Sequence, residues 1–559
     1  MKNKILVIIS MCISIFLCML DTTVMNIALP AIQTDLKVSL TNLSWALNIY
    51  TILFASLTIP LSKFAEKVGI NLVYIIGLVI FFIGSSISAI SPNLVILILG
   101  RGIQSLGAAI LFPLSMTIGI NIVKVNARKK VIAALGITQG LAAALGPTIG
   151  GILTQFGGWH AIFTINLPFT IVTFLFCLLS FNFHESKSAE QNDYLGSILG
   201  IILLFSLTLI LTQGRNWGWQ SSIILWLSIV VIISSLLFIV VEYRVSAPMI
   251  PLELFKNKEF TGSAIAIILS NLFLVAVTVI LPTYFTHMQQ KSELEAALLI
   301  TPITGMIFIM SPISAMLLEK LGPRVIIFSG FLLMTISYYL FTHINMYNTL
   351  MVLITCMILG IGYGIIAGPI TVLAASNFQG YLLTASQSVS GVLRQVGVSL
   401  AVAIFLTGLY GNLATAKKNS ITYINYQVNT LNVPRVQRLK IKQKSLKGLG
   451  THSSQATPKN HFSKDTIKKI INKEYEKQIT NLPNTVNNDQ KKQIYLIVKS
   501  RVNIKLKKQN SEINSAIEKI KNYANRQYSN AFFNLYKYSL PFLAITCFTF
   551  LLFPSKRKN

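Results

Sequence analysis

The sequence predicts an all-α integral membrane protein with two six-span halves, two additional central spans and one basic, water-soluble insert. Three observations carry this. Of 559 residues, 53% are hydrophobic and only 12% are charged, about half the charged share of a soluble domain. So little charge cannot coat several globules, which excludes a soluble multidomain enzyme. Fourteen apolar windows are long enough to cross a bilayer, and a charged turn recurs at a spacing of 253 residues.

A helix needs roughly 20 mostly apolar residues to cross the hydrocarbon layer. Such windows fall at 5–29, 44–62, 72–91, 94–121, 132–154, 162–182, 196–212 and 222–241, then at 261–286, 296–317, 325–343, 350–374, 383–409 and 536–553. The first resembles a signal peptide in its Lys2 and Lys4. Its apolar run continues to Pro30 without a small-x-small cleavage pattern, so it is expected to stay as a span. Fourteen crossings put both termini on one side. With that side cytoplasmic, the short inner segments hold seventeen Lys and Arg, while the short outer loops hold Lys37, Arg215 and Lys291. The positive-inside rule selects this orientation. It leaves 410–535 outside, and a loop of that length is exempt from the rule.

The repeat sets the division into halves. Pro60 is followed by Glu66-Lys67 and Gly69, and Pro312 by Glu319-Lys320 and Gly322; the acid, lysine and glycine recur at one spacing and the prolines within one residue of it. Both copies sit between the second and third spans of a six-span unit. The expected domains are a first bundle at 1–182, two added spans with linkers at 183–260 and the second bundle at 261–409. The basic loop at 410–535 and a last span with its tail at 536–559 complete the chain. Parallel repeats of this kind belong to transporters that work by alternating access.

Four stretches then resemble a known family. Leu20-Asp21-Thr22-Thr23-Val24-Met25-Asn26-Ile27-Ala28-Leu29-Pro30 resembles a first-span signature, and residues 62–71 resemble the loop motif G-x-L-x-D-R-x-G-R-K. Arg101-Gly102-Ile103-Gln104-Ser105-Leu106-Gly107 resembles a fourth-span motif, and Gly136 to Gly151 a fifth-span antiporter motif. Together they resemble the fourteen-span drug:proton antiporter branch of the major facilitator superfamily, the EmrB/QacA-type exporters. The loop copy departs from the pattern at Ser62, Glu66, Ile70 and Asn71, and His160 stands where the family usually has arginine.

The resemblance implies proton-coupled export of lipophilic small molecules across a bacterial plasma membrane, driven by the proton gradient without a bound cofactor. The residues give it a chemical footing. A carboxylate inside a spanning helix costs about 2.5–3.5 kcal/mol on insertion scales, so Asp21 must face a cavity, find a partner or hold a proton. Counting rise along each helix, Asp21 and Arg101 fall at similar depth in the outer half of one six-span unit. Their expected role is proton coupling, with Arg101 controlling the charge of Asp21. The alternative is a satisfied structural pair, with Thr22, Thr23 and Asn26 completing a network.

Asp21, Asn26, Gln104 and Arg394 are the expected cavity residues. Arg394 lies roughly 16 Å into its helix, and no acid lies inside the last six spans to neutralise it. Carbonyls, Gln387, Gln395 or an anionic part of the cargo could serve. One intramembrane acid against two bases argues against a dication, and the expected cargo is neutral, monocationic or zwitterionic. Gly136, Gly140, Gly146, Pro147, Gly150 and Gly151 are expected to let the fifth span pack closely and bend, as a gate between rocking bundles. Glu66, Lys67, Gly69, Glu319, Lys320 and Gly322 are expected to form turns that latch one conformation; ordinary solvated loops are the alternative.

The insert carries 24 Lys and Arg against 6 Asp and Glu. Residues 417–463 read as flexible, and 464–481 and 490–530 as a helical pair with a seam of Ile513, Ile517, Ile520 and Ala524. A solvated spacer, contact with membrane lipids, or docking of an outer adaptor protein are its expected roles. Sparse aromatic platforms and the outer placement argue against nucleic acid. The five cysteines lie in apolar runs and form no metal or disulfide pattern. No P-loop or HExxH is present, so no enzyme is expected. An exporter of a metabolite or siderophore, and a receptor or anchor acting through the insert, are the competing readings.

Overall fold

The computed structural model describes residues 4–183, 193–245, 248–448, 464–480 and 487–554. Among them the secondary structure is helical throughout, with no strand. The helices are α1 (Lys4–Leu36), α2 (Leu40–Val68), α3 (Ile70–Ala89), α4 (Leu94–Asn121), α5 (Val125–Gly157), α6 (Ala161–Thr164) and α7 (Asn166–Ser180). Then follow α8 (Tyr194–Trp217), α9 (Ser222–Arg244), α10 (Glu253–Lys256), α11 (Lys258–Gln289), α12 (Glu293–His343), α13 (Thr349–Ala375) and α14 (Gly380–Ala401). A π-helical stretch, Val402–Leu406, leads into α15 (Thr407–Thr430). The chain closes with α16 (Arg435–Lys447), α17 (Lys464–Ile479), α18 (Asn488–Thr546) and a 3-10 turn, Cys547–Leu552.

Polar side chains at the ends fix where the apolar helices begin. Asn93 Oδ1 accepts from the Ile96 N–H at 3.0 Å, Asp193 Oδ1 from Gly196 at 2.7 Å, and Asn348 Oδ1 from Met351 at 3.3 Å. Each satisfies an amide that the helix itself leaves without an acceptor. Ser292 and Glu295 cap α12 reciprocally.

Twelve helices among the described residues are long and apolar enough to cross a membrane. Their positions follow the apolar windows. Two of the expected fourteen are not separate in that count: α12 runs as one 51-residue element, and α5 contributes only a shorter apolar stretch, Lys130–Ala142. Inside α12 the backbone leaves helical geometry at Gly322, with φ 78°. Gly69, between α2 and α3, has φ 130°. The two glycines of the charged repeat are thus the residues where each half turns, at angles that a side chain disfavours.

The chain divides into two compact units. The first comprises Met1–Thr286, Lys291–Gly408 and Phe533–Asn559. Within it α1 packs on α5, α4 lies between α2 and α3, and α12 packs on α13 and α5. Added helices α8 and α9 pair with each other, and α8 lies on α2. The outer face of α9 is apolar and exposed at Leu225, Trp226, Ile232 and Leu236, as a lipid-facing helix requires. Gly360, Gly364 and Gly368 of α13 recur every four residues against Ile303, Ile307 and Ser311 of α12, so the two backbones nearly touch.

The second unit comprises His287–Gln290 and Leu409–Phe532. Here the expectation of a flexible 417–463 is corrected: 417–430 and 435–447 are helical, in α15 and α16, while 449–463 lie outside the described residues. Ala416, Ser420, Ile424 and Val428 form a buried strip with period four. Its small and polar members hid the stripe from a reading by hydrophobicity. The two helices expected at 464–481 and 490–530 are present as α17 and within α18, and α15 and α16 join them around one core, in which Ile424, Val428, Ile441, Ile471, Val498, Val502, Ile513 and Ile520 meet. The ends of the unit are neighbours, with Asn412 Nδ2 donating to the Ala531 carbonyl at 3.1 Å.

Ile513→Ala, at a fully buried site, is expected to cost this unit about 2–5 kcal/mol. Ile497→Ala, at a site 51% exposed, should change it by about 0.5 kcal/mol or less. Protease resistance of 409–532 in denaturant reads both; equal effects would show that the core is misassigned.

Candidate functional site

The polar residues of the first half converge on one buried network. Asp21, on α1, pairs through Oδ2 with Nη1 of Arg101 on α4. Gln104, one turn along α4, donates from Nε2 to Asp21 Oδ1 at 2.9 Å and to Ser85 Oγ at 2.9 Å. It accepts from Arg101 Nη1 at 2.9 Å, and Asn166 Nδ2 reaches Asp21 Oδ1 at 3.5 Å. Arg101 Nε donates to the Ala46 carbonyl at 3.2 Å, and its guanidinium lies 4.3 Å from the centre of the Tyr50 ring. Asp21 and Arg101 are each about 1% exposed.

This arrangement follows from the backbone. Cβ atoms on Gly84 of α3 or Gly107 of α4 would collide with the facing main chain at Gln104 or Phe81. Their absence brings α3 against α4 and delivers Ser85 to Gln104. The network neutralises and hydrogen-bonds a charge pair in a medium where an unpaired ion is costly. Ser85 and Tyr50 were not singled out in the sequence. Ser85 hides among small residues, and a cation over an aromatic ring has no spacing signal.

Asp21, Arg101 and Gln104 are therefore brought together, whereas Arg394 stands apart on α14. Its buried Nε has no hydrogen-bond partner among the described residues. Gln387, proposed as a partner, donates instead to Ser386 Oγ at 3.3 Å. The Gln395 Oε1 is buried without a partner. The side chains of Asn26 and Pro147 lie outside the described residues.

The glycines of α5 divide between two faces. A Cβ on Gly146 would fall on Oγ1 of Thr23, and one on Gly150 would lie 2.8 Å from the Val24 carbonyl oxygen, both on α1. Gly136 faces Thr371 of α13, and Gly140 and Gly151 face Ile307 and Ala297 of α12. Thr148 and Thr301 bridge the same α5–α12 seam at 2.7 Å. The helix is thus held closely by the first half on one side and by the second half on the other.

The turn residues also join the halves. Ser388 Oγ of α14 donates to Ser62 Oγ of α2 at 2.7 Å, and Lys63 Nζ lies 5.5 Å from the Tyr381 ring centre. Glu66 is 4.0 Å from Lys63, and Lys67 Nζ is 5.9 Å from the Tyr194 ring centre of α8. Gly69 donates its N–H to the Ala65 carbonyl at 2.9 Å. In the second copy Arg324, just past Gly322, donates to the Phe553 carbonyl at 2.7 Å. Glu319 and Lys320 precede that break on α12.

A bundle of apolar helices in two halves, meeting along close-packed seams around buried charge, defines a multi-pass membrane transporter. Residues 11–402 match the family model of the Major Facilitator Superfamily, and the chain belongs to that superfamily. The riboflavin transporter RibZ of Clostridioides difficile is 31% identical over 370 residues, spanning 66% of this chain and 80% of the relative. The multidrug transporter protein MdtP of Bacillus subtilis is 27% identical over 478 residues, 84% of this chain and 86% of the relative. The crystal structure of the human organic anion transporter MFSD10 (TETRAN) shares the fold. Its TM-score is 0.52 at 14% identity, covering 73% of this chain and 93% of that one. The matched family is one of transporters, with no catalytic family indicated.

Gly146→Ala is expected to lower the melting temperature, because the new methyl group collides with Thr23. Thr23→Ala should restore part of the loss in the double variant, giving a coupling of about 0.5–3 kcal/mol. Additive effects would show that this contact does not set the α1–α5 packing. Arg101→Ala, which leaves Asp21 buried and unpaired, should cost about 3–5 kcal/mol, read by thermal unfolding in detergent.

Proposed function

We propose that the chain is a proton-coupled exporter of lipophilic small molecules, working by alternating access in a bacterial plasma membrane with both termini cytoplasmic. The observation that carries this reading is the buried Asp21–Arg101–Gln104 network. The guanidinium of Arg101 favours the charged form of Asp21 while the two face each other. A movement of α1 against α4 that parts them leaves the carboxylate in a low-dielectric interior, where a proton neutralises it. Protonation is thereby tied to helix position, which is what antiport needs. The seams of α5 with α12 and of α2 with α14 supply surfaces on which the halves rock.

Fourteen crossings are part of the proposal. The 51 residues of α12 would extend about 75 Å as one rod, against a hydrocarbon thickness of about 30 Å. The break at Gly322 makes two spans of it. The 33 residues of α5 extend about 50 Å, long enough for one more. These two additions take the twelve to fourteen.

Relatives named as multidrug transporters support a drug-like cargo, and the relative named as a riboflavin transporter supports a second reading, export of a metabolite. Susceptibility profiling of a deletion strain separates them, since a metabolite exporter would leave drug tolerance unchanged. In reconstituted vesicles, Asp21→Asn is expected to reduce uphill cargo accumulation to the passive level while the protein stays folded. Uphill accumulation that survives either this substitution or collapse of the pH gradient at fixed membrane potential would overturn proton coupling.

A further inference from the structure

The membrane interior of this chain holds an unequal set of charges. In the first half, Asp21 and Arg101 cancel; Gln104 and Asn166 donate to Asp21, Arg101 donates to Gln104 and the Ala46 carbonyl, and Gln104 also donates to Ser85. In the second half, Arg394 stands on α14 with a buried Nε that has no partner among the described residues, and it forms no ion pair there. The acids on α11 and α12 lie at helix ends or at the turn: Glu259 begins α11 and accepts from Asn377 at 2.7 Å, Glu295 caps α12, and Glu319 precedes the break at Gly322.

Arg394 is half-buried, on a stretch of α14 where Val392, Gln395 and Gly397 are buried. On α13, which packs against α14, Tyr363 is 2% exposed and buries its hydroxyl. That hydroxyl donates to Asn271 Oδ1 of α11 at 3.2 Å. A Cβ on Gly397, one turn beyond Arg394, would lie 3.2 Å from Asn271 Cβ, so α14 and α11 approach closely there. Gln395 adds a second buried polar atom without a partner, its Oε1. Three helices of the second half thus bring a cation and hydrogen-bonding groups to one level of the bundle.

An uncompensated guanidinium inside a membrane protein is costly unless something supplies the missing acceptors. Resting on the reading of this chain as a transporter of small molecules, we infer that Arg394, beside the hydrogen-bonded pair Tyr363 and Asn271, forms a subsite for an anionic group on the cargo. The cargo is then a lipophilic organic anion, with a carboxylate or phenolate that accepts from the guanidinium fork. This departs from the neutral, monocationic or zwitterionic cargo expected from counting charges along the sequence. That count treated Asp21 as available to cargo, whereas the structure shows it already engaged.

A matched pair of dyes tests the inference in the full-length protein in detergent, without a gradient. Fluorescein and rhodamine 6G share a xanthene core and carry opposite charge. By fluorescence anisotropy, fluorescein is expected to bind, and Arg394→Gln to weaken it at least tenfold without weakening rhodamine 6G. Arg394→Lys, which keeps the charge, should recover part of the affinity. Anion binding to the basic insert is common to all variants, so the difference between them isolates the subsite. Should Arg394→Gln fail to fold, Arg394→Met, uncharged and of similar length, carries the same test with the same expected loss. Absence of fluorescein binding, or an unchanged affinity in the folded variant, overturns the subsite. Binding at equilibrium is independent of proton coupling, so failure of energised export would leave this result standing, and the reverse also holds.

Discussion

A carboxylate and a guanidinium buried together in a bilayer constrain everything around them. Neither can be left alone, because the desolvation of one is offset only by the presence of the other. The pairing of Asp21 with Arg101 fixes α1 against α4 at that level, and Gln104 extends the constraint to α3 through Ser85 and toward α7 through Asn166. Four helices of the first half are thus registered by one charge pair. Any motion of the half that disturbs α1 must also resolve the charge, by keeping the pair or by exchanging it for a proton.

Close backbone packing is the second constraint. Between apolar helices in a lipid setting there is no water to expel, so association rests on contact itself. The glycine ladder of α13 on α12, and the two-faced glycines of α5, provide that contact over long stretches. An interface of this kind lets flat helix faces move against each other without withdrawing large side chains from sockets. The same device serves inside the second half, between α12 and α13, and between the halves at α5, while the charge network belongs to the first half alone.

Most of the architecture was legible as hydropathy and repetition. Twenty-residue apolar windows locate the spans because length and oil-like composition are what a bilayer demands. The repeated Glu-Lys and glycine located both turns because the backbone there adopts positive φ, at Gly69 and Gly322. The insert was harder. Buried Ala416 and Ser420 continue the stripe of Ile424 and Val428, yet neither is hydrophobic enough to announce a core. The convergence of Asp21 with Arg101 could be anticipated from their depth and charge. The partners Ser85, Tyr50 and Ala46 could not, since a carbonyl, a hydroxyl and a ring face acquire meaning only when the helices are placed. Arg394 was legible as an isolated cation, but only the full engagement of Asp21 shows how the two halves differ in charge.

The second unit interrupts the chain between α14 and the final apolar stretch, and it rejoins the chain where it left, at Asn412 and Ala531. This has a consequence for biosynthesis. Tyr536 is fully buried in the first unit, with its ring 5.3 Å from that of Tyr338 and 5.4 Å from that of Phe341. During translation those aromatic partners on α12 are made roughly two hundred residues before Tyr536. The second half must wait in the membrane with an open aromatic socket while a separate helical domain emerges from the ribosome, and the helix that seals the bundle follows only after that domain has been made.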